Sequence, residues 1–207
     1  MRRRQHHHLV LLGCLLGLVA ASPAKAKPSL SSAVAPAVAV DFVRRSCRST
    51  EYPRVCESTL VPCAPAVGRS LRRLARAALV VGADRARNCS AYIGGGGAPK
   101  AAGKKGGAMK DCAELARDAE ERLRQSAAEM ERMGRSGTPR FAWALSNVQT
   151  WASAALTDTS TCLDSLAQAK AKDRDAVKRR VVAVAEATSN ALALVNRLHP
   201  AQHRRLL

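Results

Sequence analysis

Apolar side chains recur in steps of three and four along four stretches of this chain. The first carries Val67, Leu71, Leu74, Ala78 and Val81, and the second Met109, Cys112, Ala116, Ala119, Leu123, Met130 and Met133. The third carries Phe141, Leu145, Val148, Ala152, Ala155, Thr159, Cys162 and Leu166, and the fourth Val177, Val181, Val184, Thr188, Ala191, Val195 and Leu198. Each is a seven-residue repeat with one mostly apolar seam, the pattern of a helix packed lengthwise against partners. Gly134 stops the second segment, Thr138 and Pro139 supply an N-cap and a first helical position for the third, and Asp173 can cap the fourth. The pattern predicts an all-α fold: an up-down-up-down four-helix bundle over residues 65–199, with helices of about 25 residues. Its one long joint is the Gly/Lys loop 94–107, GGGGAPKAAGKKGG, whose composition is that of a flexible linker. Thr159 and Thr188 sit on seams, where a hydroxyl bonded to the carbonyl one turn earlier is the expected arrangement.

Upstream of the bundle the pattern is shorter. Apolar patches around Phe42 and Val43 and from Val55 to Val61 flank SCRSTEYP, in which Pro53 suits the first turn of a new helix. They predict an N-terminal α-helical hairpin over residues 38–64, preceded by an Ala/Ser/Pro-rich lead-in over 27–37. Residues 1–26 read as a cleaved secretory signal: Arg2, Arg3 and Arg4, then the apolar run Leu9 to Ala21, then Ala24-Lys25-Ala26. That run is shorter than the roughly 20 residues a bilayer span needs, so no membrane association is expected after cleavage. Residues 200–207 form a C-terminal tail.

Aromatic residues make up 3% of the chain, so the core is expected to be built from small aliphatic side chains packed closely. The formal net charge is +18, and loss of Arg2, Arg3, Arg4 and Lys25 with the signal lowers it by four, to +14. An exported chain without aromatic platforms is a poor nucleic-acid binder; a secreted cation of this size either concentrates near anionic polysaccharide or acidic surfaces, or carries its charge only to stay in solution. Six of the seven cysteines lie beyond the signal, at 47, 56, 63, 89, 112 and 162. Export makes disulfides the expectation. The turn between the second and third bundle helices centres near Ser136, about 24 residues after Cys112 and about 26 before Cys162. Two antiparallel helices then bring these seam positions side by side, which predicts a Cys112–Cys162 bridge. Cys63 and Cys89 bracket the first bundle segment, about 39 Å apart if that helix is continuous, far beyond a disulfide's reach. Cys47 and Cys56 flank the hairpin turn and form the natural remaining pair.

Catalytic chemistry is poorly supplied. Beyond the signal the only histidines are His199 and His203, so no Ser/His/Asp or Cys/His constellation is available within the bundle. Metal-ligand spacing of the C-x-x-C or H-E-x-x-H kind is missing, and no metal or cofactor is expected. Asp118, Glu121 and Arg122 lie at ordinary helical spacing and read as a solvated face. Asn88-Cys89-Ser90 is an N-glycosylation sequon, making Asn88 a glycan candidate.

The blocks SCRSTEYPRVC, MKDCAELARDAEERL, NVQTWASAALTDTSTC and SNALALVNRL, in this order and each of the first three with its cysteine, resemble the plant invertase and pectin methylesterase inhibitor family from about Val38 to Leu198. The resemblance implies a helical hairpin on a four-helix bundle and bridges from first to second and third to fourth cysteine, here Cys47–Cys56 and Cys112–Cys162. It also implies a noncatalytic inhibitor of a cell-wall enzyme, secreted to the apoplast. Val148-Gln149-Thr150-Trp151 and Ser153 to Thr157 resemble the pectin methylesterase inhibitors. Pro139-Arg140-Phe141 is similar to the Pro-Lys-Phe element of acid invertase inhibitors, which keeps invertase as the alternative target. A basic wall-binding protein without inhibitory activity is a second alternative. On the esterase reading the bundle blocks the pectin groove. The interface candidates are Glu120, Arg124, Asn147, Thr150, Asp158 and Arg140.

Overall fold

The computed structural model describes residues 30–95, 107–168 and 174–199. The signal segment, the greater part of the Gly/Lys loop, Asp173 and the C-terminal tail lie outside the described residues. Helix α1 spans Leu30–Cys47 and α2 Pro53–Leu60. A single 3-10 turn, Val61–Cys63, and the short α3, Ala64–Val67, lead to the bundle helices α4 (Leu71–Gly94), α5 (Gly107–Arg132), α6 (Pro139–Gln168) and α7 (Arg174–Asn196).

The four long helices pack in a ring, α4 on α5, α5 on α6, α6 on α7 and α7 back on α4. Cross-helix contacts fix their antiparallel sense. Arg76 meets Glu131 while Arg87 meets Glu120, and Gln149 Nε2 donates to Asn196 Oδ1 at 2.8 Å. The core is built from small residues, as composition requires. Ala75, Ala83, Ala86, Ala119, Ala144, Ala152, Ala155 and Ala191 are completely buried. Gly82 lets α5 and α7 come close to α4: a β-carbon there would lie 3.2 Å from Leu123 Cδ1 and 3.6 Å from Thr188 Oγ1. The seam threonines are satisfied as expected, Thr188 donating to Val184 O at 2.9 Å and Thr159 to Leu156 O at 2.7 Å.

Local capping explains the helix boundaries. Ser70 accepts from Arg73 N–H at the start of α4, and Thr138 Oγ1 accepts from Phe141 N–H at 3.2 Å with Pro139 in the first turn of α6. The α5–α6 turn needs two left-handed residues, and glycines occupy both, Gly134 (φ 75°) and Gly137 (φ 85°).

The N-terminal part departs from expectation. Helix α1 begins at Leu30, inside the stretch read as a lead-in, and continues through Pro36. Val67 belongs to α3 and not to the first bundle helix. Gly68, at φ 58°, breaks the chain between them, so Cys63 and Cys89 do not bracket one helix. The hairpin docks on the bundle through polar clamps that apolar periodicity does not reveal. Asn190, 2% exposed on α7, accepts from Tyr52 N–H at 2.9 Å and donates to Tyr52 O at 3.0 Å. Arg197 donates to Ser46 O at 3.0 Å and Ser49 Oγ at 3.1 Å.

Two disulfides close the structure. Cys47 and Cys56 tie α1 to α2 with Cα atoms 5.5 Å apart, and Cys112 and Cys162 tie α5 to α6 at 4.8 Å. Cys63 and Cys89 are free thiols.

Candidate functional site

Helix α6 divides its surface sharply. Its inner stripe, Phe141, Leu145, Val148, Ala152, Ala155, Thr159 and Cys162, is buried. Its outer stripe from Ala142 to Leu163 carries no exposed charge, although charged residues make up 24% of the chain. What it presents is Trp143, Ser146, Thr150, Ser153, Thr157 and Ser160, all exposed, with Asn147 half-buried beside them. Trp143 is 67% exposed, the most exposed large apolar side chain among the described residues. Thr157 and Ser160 donate their hydroxyls to the carbonyls of Ser153 and Leu156, leaving oxygen lone pairs outward. An uncharged face of this kind costs less to dehydrate than a charged one, and an exposed Trp is a side chain suited to anchor a partner.

The sequence-derived candidates do not all share that face. Thr150 lies on it and is exposed, with Asn147 at its edge. Asp158 does not, contrary to the expectation that it is free to meet a partner. It is 9% exposed and turned toward α5, where Arg122 Nε donates to its Oδ2 at 2.9 Å. Arg122 is thereby part of a cross-helix pair rather than one charge on a solvated face. Burial pushes the Asp158 carboxyl above its ordinary pKa, and the Arg122 charge opposes that shift without cancelling it. Glu120 and Arg124 also serve within the bundle. Glu120 accepts from Arg124 Nε at 2.8 Å and from Arg87 Nε at 3.1 Å, and Arg124 reaches Asp84 at 3.1 Å. These two candidates lie on the α4–α5 face, remote from Thr150. Arg140 is exposed, and its guanidinium lies 3.6 Å from Glu129 of α5.

Trp143 lies outside the sequence-derived candidates, yet the pattern holds its signal. Two positions beyond the seam residue Phe141 is about 200° around a helix, which places an aromatic on the outer side. Between the first turns of α6 and the end of α7, an open hollow of about 590 Å³ is lined by Thr138, Phe141, Ser146, Gln149 and His199.

The thiols and the sequon fall elsewhere. Cys89 lines a small cavity together with the Cys112–Cys162 bridge, Asp158 and Thr159. Burial raises its pKa to about 11, against the opposing charge of Arg180. Asn88 is exposed on α4 while Cys89, its neighbour, points inward, so a glycan on Asn88 and the buried thiol do not compete for space. Among the described residues no group of three His, Cys, Asp or Glu side chains could hold a metal ion, and no helix is long and apolar enough to cross a membrane.

The model of the family described as plant invertase/pectin methylesterase inhibitor matches residues 41–194. The chain belongs to this family. Its relatives include pectinesterase inhibitor 9 of Arabidopsis thaliana, 38% identical over 161 residues that cover 75% of this chain and 79% of the relative. Another is a 21 kDa protein of Daucus carota, 37% identical over 174 residues, covering 80% and 87%. Among solved structures the fold is similar to a mutant form of a pectin methylesterase inhibitor from Arabidopsis. The TM-score is 0.58 at 18% identity, covering 72% of this chain and 92% of that one. The family match includes α2 to α6 entire and both disulfides. The uncharged α6 face is therefore displayed by a family member with its bridges intact.

Proposed function

We propose that this protein is a secreted inhibitor of pectin methylesterase that blocks access of pectin to the enzyme's groove and so modulates pectin de-methylesterification in the cell wall. Family membership, together with relatives named pectinesterase inhibitors at 34–38% identity, carries the choice of target. The uncharged outer face of α6 is the structural feature that makes docking inexpensive. Trp143 supplies the anchor, Thr150 and Asn147 the adjacent hydrogen-bonding groups, and Arg140 a charge at one end. The bundle behind this face is stapled by Cys112–Cys162, so little conformational freedom is lost on binding. Glu120, Arg124 and Asp158 act in this reading as internal braces and not as contacts.

The basic balance of the mature chain adds attraction to pectin, which holds the inhibitor near its target. The signal-like first 26 residues support secretion, as do the six cysteines beyond them, of which four are paired.

The test is to place charge and bulk on the α6 face. Thr150→Arg and Trp143→Ala are expected to weaken binding to pectin methylesterase by about tenfold or more each, with helical content unchanged. Substituting exposed residues on α7, such as Lys178→Ala, is expected to leave binding unaltered. Loss of binding through α7 and not α6 would overturn the proposed face.

A further inference from the structure

Positive charge is not spread evenly over this bundle. At the pole where α4 starts, α5 ends and α6 starts, Arg69, Arg72, Arg73, Arg76, Arg132, Arg135 and Arg140 face only Glu129 and Glu131. The remaining described residues from Arg69 to His199 hold eleven basic and ten acidic side chains, close to balance. The pole therefore carries nearly the whole charge excess of the described bundle.

Packing gathers these residues. Arg72 donates through Nη2 to Gly134 O and lies 5.5 Å over the Phe141 ring, locking the first turn of α4 onto the α5–α6 turn. That contact brings Arg73, next to Arg72 in the chain, and Arg69, three residues before it, to the same end as Arg135, next to Gly134. The two carboxylates are already taken. Glu131 pairs with Arg76, and Glu129, 9% exposed, is shared by Arg132 at 3.4 Å and Arg140 at 3.6 Å. Arg69, Arg73 and Arg135 are exposed and have no acidic partner among the described residues.

Every cation at this pole is arginine. A planar guanidinium pairs with a carboxylate through two parallel hydrogen bonds, whereas the ammonium of lysine acts as a point charge. Three unpaired guanidinium groups at one end of a rigid bundle fit a ligand that repeats carboxylates along a chain. We propose that the Arg69, Arg73 and Arg135 pole binds polyuronate, specifically the unesterified galacturonan left where pectin methylesterase has acted. The naming of galacturonan rests on the proposed function; the carboxylate-polymer surface rests on the arginine cluster alone. Binding there concentrates the protein on wall already de-esterified, beside the enzyme that produced it.

The test compares retention of the mature protein on immobilised polygalacturonate and on fully methyl-esterified pectin at about 100 mM salt. The wild type is expected to be retained on the first and not on the second. A triple variant, Arg69→Gln, Arg73→Gln and Arg135→Gln, is expected to lose about tenfold or more in affinity. The control triple, Lys110→Gln, Lys178→Gln and Arg179→Gln, removes equal charge from the opposite half and is expected to retain binding. Equal losses in the two triples, or equal retention of the wild type on esterified pectin, would overturn the proposal. So would a pole triple that loses affinity for pectin methylesterase yet keeps polygalacturonate binding, since the pole is then a protein-docking surface. A wild type that binds polygalacturonate but fails to inhibit the esterase would instead defeat the proposed function and leave this inference standing.

Discussion

The two disulfides stabilise the fold unequally, and their loop lengths say by how much. Cys47–Cys56 closes a sequence separation of 9 and Cys112–Cys162 one of 50. On the chain-entropy account the shorter loop is worth about 2.6 kcal/mol and the longer about 4.1 kcal/mol at 25 °C. Absolute values are blurred by the space left when sulfur is replaced, but all four cysteines are at most 2% exposed, so that cost is similar at both sites and largely cancels in the difference. The difference is about 1.5 kcal/mol, from loop length alone. For a chain of this size it corresponds to about 3–6 °C in Tm. The experiment is a pair of double variants, Cys47→Ala/Cys56→Ala and Cys112→Ala/Cys162→Ala, melted side by side by circular dichroism at 222 nm. The Cys112/Cys162 variant is expected to melt lower by that margin. A Cys112/Cys162 variant that melts at or above the Cys47/Cys56 variant would refute the loop-entropy reasoning.

Other consequences concern single residues. Cys63 is half-buried and Cys89 sits in the core with a pKa of about 11, so at pH 8 about one Cys89 in a thousand is thiolate. In native protein iodoacetamide is expected to label Cys63 and spare Cys89, and mass spectrometry showing comparable rates would contradict the buried placement. The raised pKa of Asp158 means that the folded state holds its proton more tightly than the unfolded state. Its ionisation therefore costs stability as pH rises from the ordinary carboxylate value through the raised one. Asp158→Asn is expected to gain on wild type in Tm as pH rises across that window, and a gain in the opposite direction would be inconsistent with burial as the main cause. Asn190→Ala removes both hydrogen bonds to the Tyr52 backbone, at a cost of about 1–3 kcal/mol. Hydrogen exchange should quicken in α1 and α2 but not in α5, and unchanged hairpin exchange would show that the clamp is dispensable.

The bundle was legible because its helices carry uninterrupted seams of small residues, and because Cys112 and Cys162 are seam positions equidistant from one turn. Caps at Thr138 and Pro139 marked the start of α6 for the same local reason. What escaped depends on partners distant in sequence. Asp158 lies beside the seam at Thr159, and a single-helix pattern cannot show that Arg122 waits for it on α5. Asn190 is a polar residue next to an apolar seam whose meaning is a backbone 138 residues away. The boundary near Val67 was misplaced because a step of four to Leu71 mimics a continuous helix, while Gly68 turns the chain left-handed between them. Ala, Ser and Pro composition in the lead-in resembles a linker, yet the helix runs through Pro36.

Titrating the mature protein into pectin methylesterase decides whether it is an inhibitor of that enzyme. Esterase activity on pectin is expected to fall toward zero as the protein approaches stoichiometric excess, with acid invertase assayed in parallel keeping its activity. Undiminished esterase activity at micromolar protein, or loss of invertase activity in its place, would contradict pectin methylesterase as the target.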